Sequence, residues 1–162
     1  SFPMGSERWD PICEKGLIKV PSYIFSCMSS SWLPVAALPA GRLNHCLAAS
    51  ADALFAVGGY TFPPPDYEAS TLRYDPSANL WSYLAPMSTN RDSFGCGIVG
   101  DSLIAVGGES GNYPFTLSAV ERLNISTNGS AWEAVANMYE ARQGHSVAVV
   151  CARRIRTTVG LD

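Results

Sequence analysis

Short apolar runs that end in a pair of glycines set the pattern of this chain. LFAVGG (54–59) and LIAVGG (103–108) are the two clearest examples. Runs this short and this rich in β-forming residues predict strands that are buried on both faces. Glycine suits a position where two backbones approach closely or where φ turns positive. The pattern therefore predicts buried strands that end at tight backbone contacts.

Further segments of strand-like composition flank these runs, and turn-forming residues separate them. Residues 44–49 and 54–58 predict a hairpin around the turn 50–53. Later turns at 75–79 and 125–129 are rich in Asp, Asn, Ser and Gly, as chain reversals require. The predicted strands outside the first hairpin are residues 32–36, 70–74, 80–83, 119–124, 131–136 and 144–150.

Single residues recur at fixed distances through these segments. Three tryptophans lie 49 and 51 residues apart, and an arginine follows each of them ten residues later. A glycine pair follows the first two arginines after 16 residues. A period near 50 residues is typical of propellers and solenoids. The repeat landmarks are Trp32, Arg42, Gly58, Gly59, Trp81, Arg91, Gly107, Gly108, Trp132 and Arg142.

This combination of residue types at set offsets resembles the kelch repeat. The glycine pair, the segment Arg73-Tyr74-Asp75, and the Trp, Met and Arg that follow carry the resemblance. It implies an all-β fold, a partial kelch-type β-propeller with about two complete four-stranded blades plus fragments. Residues 32–150 are the expected kelch repeats, and 1–31 an irregular segment with the remnant of a preceding repeat and an insertion. Residues 151–162 are expected to be an irregular or truncated tail.

Both ends of the chain depart from the repeat. Residues 16–28 are either a long loop between strands or not native coding sequence, for instance a retained intron, and they are expected to pack poorly. After Arg142 the expected second strand and glycine pair are replaced by ARRIRTTVGLD. Since two repeats cannot close a ring, we expect a fragment of a larger propeller. The alternative is that short chains associate to complete the ring.

The loops that follow the glycine pairs are the predicted binding sites. They differ in sequence and are rich in aromatic residues although the strands around them match. Variable loops on a repeated scaffold commonly carry specificity, and aromatic side chains give large rigid contact areas. Each aromatic has the alternative of folding back over its own blade edge. The candidates are Tyr60, Phe62, Asp66, Tyr67, Asn112, Tyr113 and Phe115.

The regular tryptophans and arginines are expected to be structural. Each indole should fill the space between adjacent blades, where its N–H needs an acceptor. Each arginine should hold the crossing from one blade to the next. His45 and His145 both stand three residues after a repeat arginine, so the repeat explains them as well.

Composition and charge narrow the classes of function that the chain can have. With 162 residues, 47% of them apolar, and a net charge of −3, the chain is expected to be globular. Unclustered basic residues argue against nucleic acid, and no apolar run is long enough to predict a membrane span. Five cysteines without a CxxC pair are expected to be reduced, with Cys46 and Cys96 as small apolar fillers. Two glycosylation sequons, at Asn124 and Asn128, are interpreted as coincidental in a cytoplasmic protein.

No catalytic constellation, cofactor site or metal site stands out in the sequence. The resemblance therefore implies a non-enzymatic module that presents variable loops to a protein partner, with no small-molecule substrate. One such role is substrate recognition for a cullin-type ubiquitin ligase. The alternatives are an actin-binding or scaffold kelch protein, and a fragment of a propeller enzyme such as a galactose-oxidase-like protein or a sugar epimerase.

Overall fold

A computed structural model describes residues 22–26, 31–61, 66–127 and 129–149, the first of these ranges as backbone only. Within these ranges the chain forms strands and turns and no helix, which confirms the predicted all-β class. The strands are β1 Ser22–Ser26, β2 Ser31–Val35, β3 Arg42–Leu43, β4 Cys46–Ala49, β5 Leu54–Val57, β6 Tyr60–Thr61, β7 Asp66–Tyr67, β8 Thr71–Asp75, β9 Leu80–Leu84, β10 Gly95–Val99, β11 Ser102–Val106, β12 Val120–Asn124 and β13 Trp132–Val135.

Two four-stranded antiparallel sheets form the body of the fold. The first blade has the order β4-β5-β8-β9 and the second the order β10-β11-β12-β13. Equivalent strands pair in the same register, since Ala56 faces Leu72 in the first blade and Ala105 faces Glu121 in the second. Each blade is a meander in which consecutive strands are neighbours. The partial propeller expected from the kelch resemblance is confirmed.

The core lies between the two blades. Their innermost strands, β4 and β10, lie side by side. Phe55 and Val57 of β5 are 2% and 0% exposed, as expected of a strand covered on both faces. Burial of these side chains provides the main driving force for packing one blade on the other. The buried cluster comprises Ala53, Phe55, Val57, Met87, Phe94, Cys96, Leu103, Ala105 and Leu123.

Two tryptophans each donate a hydrogen bond from one outer strand to the backbone just after the outer strand that precedes it in the chain. The Trp81 indole N–H donates to the Ala36 carbonyl oxygen at 2.8 Å. The Trp132 indole N–H donates to the Ala85 carbonyl oxygen at 3.0 Å and lies 3.1 Å from the Thr71 hydroxyl. Trp32, on the first described outer strand, is 67% exposed.

Arginines enter the interior where one blade passes to the next. Arg42 donates to the Gly58 carbonyl oxygen and the Ser70 hydroxyl, both at 3.0 Å. Arg91 donates to the carbonyl oxygens of Gly107 at 2.9 Å and Ala119 at 3.0 Å. Burial lowers the pKa of both guanidinium groups, although each stays cationic at neutral pH.

Glu121 adds a buried ion pair to the second of these arginines. Its carboxylate accepts a hydrogen bond from Arg91, and its side chain is only 3% exposed. The negative charge of Glu121 raises the pKa of Arg91 and so offsets part of the lowering that burial causes. Arg142, the third repeat arginine, has a half-exposed side chain and pairs with Glu140 at 3.6 Å. The residue 16 positions after Arg142, where the repeat would supply its carbonyl partner, lies outside the described residues.

The glycine pairs lie where the next crossing touches the blade. Gly58 has a φ of 56°, and a Cβ there would lie 2.6 Å from the Arg91 carbonyl oxygen. The following amide, that of Gly59, donates to that same oxygen at 2.8 Å. In the second blade the Gly108 amide donates to the Arg142 carbonyl oxygen at 2.9 Å. Both a positive φ and close backbone approach therefore act at these positions.

The expectation that Cys46 and Cys96 are reduced is wrong. They form a disulfide between β4 and β10, with Cα atoms 6.0 Å apart. The thiols meet because the innermost strands of the two blades are neighbours, and their Cα separation falls within the usual range for disulfides. The other three cysteines, Cys13, Cys27 and Cys151, lie outside the described residues.

Both ends of the described chain differ from expectation. Strand β1, which pairs with β2, lies within the segment expected to be irregular, whereas residues 12–21 and 27–28 lie outside the described ranges. The SYIFS composition of β1 is rich in β-formers, which favours a strand. Residues 144–149, expected to be a strand, have no hydrogen-bonded partner strand among the described residues. Their Val147 nevertheless packs against Gly95 of β10. The tail 151–162 lies outside the described ranges.

Candidate partner-binding face

The long connections of both blades lie on one face of the molecule. Because consecutive strands run antiparallel, connections 58–70, 85–94 and 107–119 meet at one end of the strands, and the short turns meet at the other. We call the first end the loop face. Loops on such a rigid scaffold can present side chains without a large ordering cost.

The first loop forms a small sheet that the sequence did not predict. Strands β3, β6 and β7 pair in the order β3-β6-β7, and the Tyr60 and Tyr67 rings pack edge to face with centroids 5.3 Å apart. Both tyrosines are half-buried, whereas Asp66 is exposed. Phe62 lies outside the described residues. The two described tyrosines thus follow the alternative of packing partly against their own loop.

The second loop carries two strongly exposed aromatic residues. Tyr113 is 88% exposed and Phe115 57% exposed, and their rings form an edge-to-face pair with centroids 6.2 Å apart. Asn112 is also exposed, and its carbonyl oxygen accepts a hydrogen bond from the buried Ser110 hydroxyl at 2.8 Å. The bond Tyr113–Pro114 is cis. These side chains are available to a partner in a way that Tyr60 and Tyr67 are not.

An open cleft of about 530 Å³ separates the two loops. Asn112 and Tyr113 form part of its wall, but Asp66 and Phe115 do not line it. The crossing residues Ser88, Thr89 and Asn90 line it too, and they were missing from the predicted site. They could have been found by noting that each blade crossing returns to the same face as the loops. The lining residues are Ala69, Ser88, Thr89, Asn90, Ser110, Asn112, Tyr113, Pro114 and Leu117.

Hydrogen bonds connect the cleft, through Tyr67 of the first loop, to the acidic residue Glu109 at the base of the second loop. Asn90 lines the cleft and its amide group lies 3.4 Å from the Tyr67 carbonyl oxygen. The Tyr67 hydroxyl donates to the Glu109 carboxylate at 3.3 Å. Burial raises the pKa of Tyr67, and the negative charges of Glu109 and then Asp92 raise it further. Glu109 and Asp92 therefore place negative charge beneath the loops, near the cleft residue Asn90.

Asp92 is the most deeply placed of these acids, with 8% of its surface exposed. One carboxylate oxygen accepts a hydrogen bond from the Asn44 side-chain amide at 3.2 Å. The other accepts none from the residues that the structure describes. The Asp92 backbone forms a bridge with Glu109, which fixes the position of both residues at the base of the second loop.

Neither histidine stands in a cluster that could hold a metal. No group of three His, Cys, Asp or Glu residues that could bind one occurs in the described ranges. Burial, and then the charge of Arg42, lower the pKa of His45. The His145 ring nitrogens accept or donate no hydrogen bond within the described part of the chain. The structure also contains, as far as it is described, no helix that is long and apolar enough to span a membrane.

Comparison with known proteins gives one family-model match and several relatives. The Kelch motif model matches residues 41–88, the stretch that holds the first complete blade. Kelch-like protein 36 of Rattus norvegicus is 34% identical over 121 residues, which cover 73% of this chain and 19% of the relative. Kelch-like protein 34 of Homo sapiens is 30% identical over 137 residues, covering 77% of this chain and 20% of the relative. Kelch-like protein 15 of Homo sapiens is 32% identical over 108 residues, or 65% and 17% of the two chains. The chain thus spans about a fifth of the length of these relatives.

Proposed function

The chain belongs to the kelch-repeat β-propeller family, and on that premise we propose that it is a non-enzymatic module whose loop face binds a protein partner. The observation that carries the proposal is the exposed pair of rings at Tyr113 and Phe115 beside the cleft. Exposed aromatic residues next to a concave surface are typical anchors of protein interfaces. A small-molecule substrate, nucleic acid or membrane has no part in this proposal.

The scaffold beneath these rings favours specific binding. The second loop begins at Gly108, whose carbonyl oxygen accepts a hydrogen bond from the Leu117 amide at 2.9 Å. The Glu109 backbone bridges both Asp92 and Thr116. These contacts fix both ends of the loop on the blade, so little conformational entropy is lost when a partner binds.

We further propose that the partner is a substrate of a cullin-type ubiquitin ligase. In that arrangement a BTB or F-box domain would contact the cullin scaffold, and the loop face would hold the substrate. Actin binding or a scaffold role would use the same face with a different occupant.

Affinity capture of the full chain from cells, with quantitative mass spectrometry, tests the proposal. The Tyr113→Ser/Phe115→Ser variant removes both exposed rings. Leu80→Ser is the control, since Leu80 is 60% exposed at the start of the outer strand β9, the end that carries the short turns. We expect a defined set of proteins to be lost from the loop variant by about tenfold or more and kept by the control. Equal capture by all three chains would overturn the proposal.

Cullin recruitment and a cytoplasmic location need separate measurements. A cullin substrate should accumulate when neddylation is inhibited, whereas an actin or scaffold partner should not. Trapping thiols in intact cells tests the location, because disulfides are uncommon in the cytosol. In a cytoplasmic protein Cys46 and Cys96 should be alkylated without prior reduction, and full protection of both would place the chain in an oxidising compartment.

A further inference from the structure

We infer that the loop face takes a cationic segment, in which an Arg or Lys side chain stands next to an apolar or aromatic residue. This inference rests on the proposed function and names the chemistry of the partner. It follows from where the acids and bases of the two blades point.

The cations of the loop face are turned inward or paired. Arg42 is 9% exposed and Arg91 0% exposed, and both donate to backbone carbonyl oxygens beneath the loops. Arg142, at the edge of the face, pairs with Glu140. The other two described arginines pair elsewhere, Arg73 with Asp52 and Arg122 with Glu133. Among the described arginines, none is therefore both exposed on this face and without an acidic partner.

Three acids of the same face form no ion pair with the described residues. Asp66 is exposed and Glu109 half-buried, and neither forms an ion pair with the described residues. Asp92 keeps one buried carboxylate oxygen without a hydrogen-bond donor there. Glu68 accepts a hydrogen bond from the Ser70 hydroxyl and acts electrostatically on the buried Arg42. A cationic group placed beside the accessible carboxylates of Asp66 or Glu109 gains both charge attraction and hydrogen bonding.

The aromatic rings supply the second half of the recognition. A guanidinium or ammonium group over the face of an exposed Tyr or Phe ring is attracted by about 0.5–1 kcal/mol. Tyr113 and Asn90 both line the cleft, and hydrogen bonds lead from Asn90 through Tyr67 to Glu109. An extended segment in this cleft can therefore place a cation near Glu109 while its neighbouring apolar side chain packs on Tyr113. An acidic segment would meet repulsion at the same place.

Selection from a phage-displayed library of random linear peptides on the full chain tests the inference. We expect the enriched peptides to carry Arg or Lys beside an apolar or aromatic residue. The Asp66→Asn/Glu109→Gln variant keeps the shape of the face and removes two charges. We expect it to bind these peptides about five- to tenfold more weakly, with a shallower dependence of affinity on NaCl concentration.

The opposite face offers a charge-matched control. Asp75→Asn/Asp101→Asn likewise removes one half-buried and one exposed acid, from the short turns at the other end of the strands. Wild-type affinity in this control together with loss in the loop variant supports the inference. Equal loss in both variants would mean that only net charge matters and would overturn it. Failure to enrich any peptide would overturn it as well.

If the selection yields neutral or acidic peptides, their binding to the Tyr113→Ser/Phe115→Ser variant distinguishes a failure of this inference from a failure of the proposed function. If such peptides lose binding on Tyr113→Ser/Phe115→Ser, the loop face binds a partner and the cationic chemistry is wrong. If they bind that variant as well as they bind the wild type, both proposals fail. Thermal unfolding of each variant in advance establishes that a lost signal is not a lost fold.

Discussion

At the scale of the residue, Gly58 and Gly100 form a matched pair. Their φ angles are 56° and 57°, yet a Cβ at Gly58 would lie 2.6 Å from a backbone oxygen, whereas one at Gly100 would meet nothing within 4 Å. We expect Gly100→Ala to lower the free energy of unfolding by about 1–2 kcal/mol, the cost of the left-handed conformation. Gly58→Ala should lose about 1–3 kcal/mol more, because the crossing must shift. Urea unfolding measures both, and equal losses would contradict the close approach.

Single residues also show where sequence reasoning stops. The glycine pairs were predictable because positive φ and close approach both select for glycine at a repeated position. Glu121 was not predictable as the partner of Arg91, since the equivalent position in the first blade holds Leu72. The orphan carboxylate oxygen of Asp92 depends on which donors reach it in space, and no spacing in the sequence encodes that.

At the scale of the element, the Arg91–Glu121 pair joins the crossing between the blades to β12. Glu121 also accepts hydrogen bonds from the Ser88 amide at 2.8 Å and from its hydroxyl at 2.7 Å. We expect Arg91→Met to lower the free energy of unfolding by about 3–5 kcal/mol, because it leaves a buried carboxylate without its cation.

The matched control is Arg122→Met, which breaks the exposed pair with Glu133 at 3.0 Å. It should cost less than about 1 kcal/mol, since exposed ion pairs contribute little. Denaturant unfolding of both variants and of the wild type gives the comparison. A loss of similar size in the two variants would show that the buried pair does not tether the blades.

The strands were predictable from short β-forming runs and turn residues, and those of the first blade differ from prediction by only a residue or two. The sheet β3-β6-β7 could not be predicted, because strands of two residues carry no periodic signal. Its pairing also joins Arg42 to Thr61, which is distant in sequence. The predicted strand at 144–149 has the right composition, but among the described residues it has no strand to pair with. Pattern thus predicts which segments suit a strand, and their neighbours decide whether they form one.

At the scale of the whole molecule, the disulfide between Cys46 and Cys96 joins the two blades. The sequence could not reveal it, because the cysteines are 50 residues apart and their meeting depends on how closely the blades pack. Closing a loop of this length should stabilise the fold by about 2–4 kcal/mol. We expect reductant to lower the urea midpoint of the wild type to that of Cys46→Ala/Cys96→Ala, and to leave the variant unchanged. If reductant leaves the urea midpoint of the wild type unchanged, the stabilising role of the disulfide is contradicted.

The same bond changes how the molecule carries mechanical load. A pull on the two ends of the chain passes directly from Cys46 to Cys96 through the sulfur atoms, so most of the first blade lies outside the force path. Because the two cysteines are separated by 50 residues in sequence, roughly 170 Å of contour length stays hidden until the bond is reduced. While the rest of the chain is under tension, the first blade can thus lose its sheet without lengthening the chain, and it stays covalently attached to the second blade.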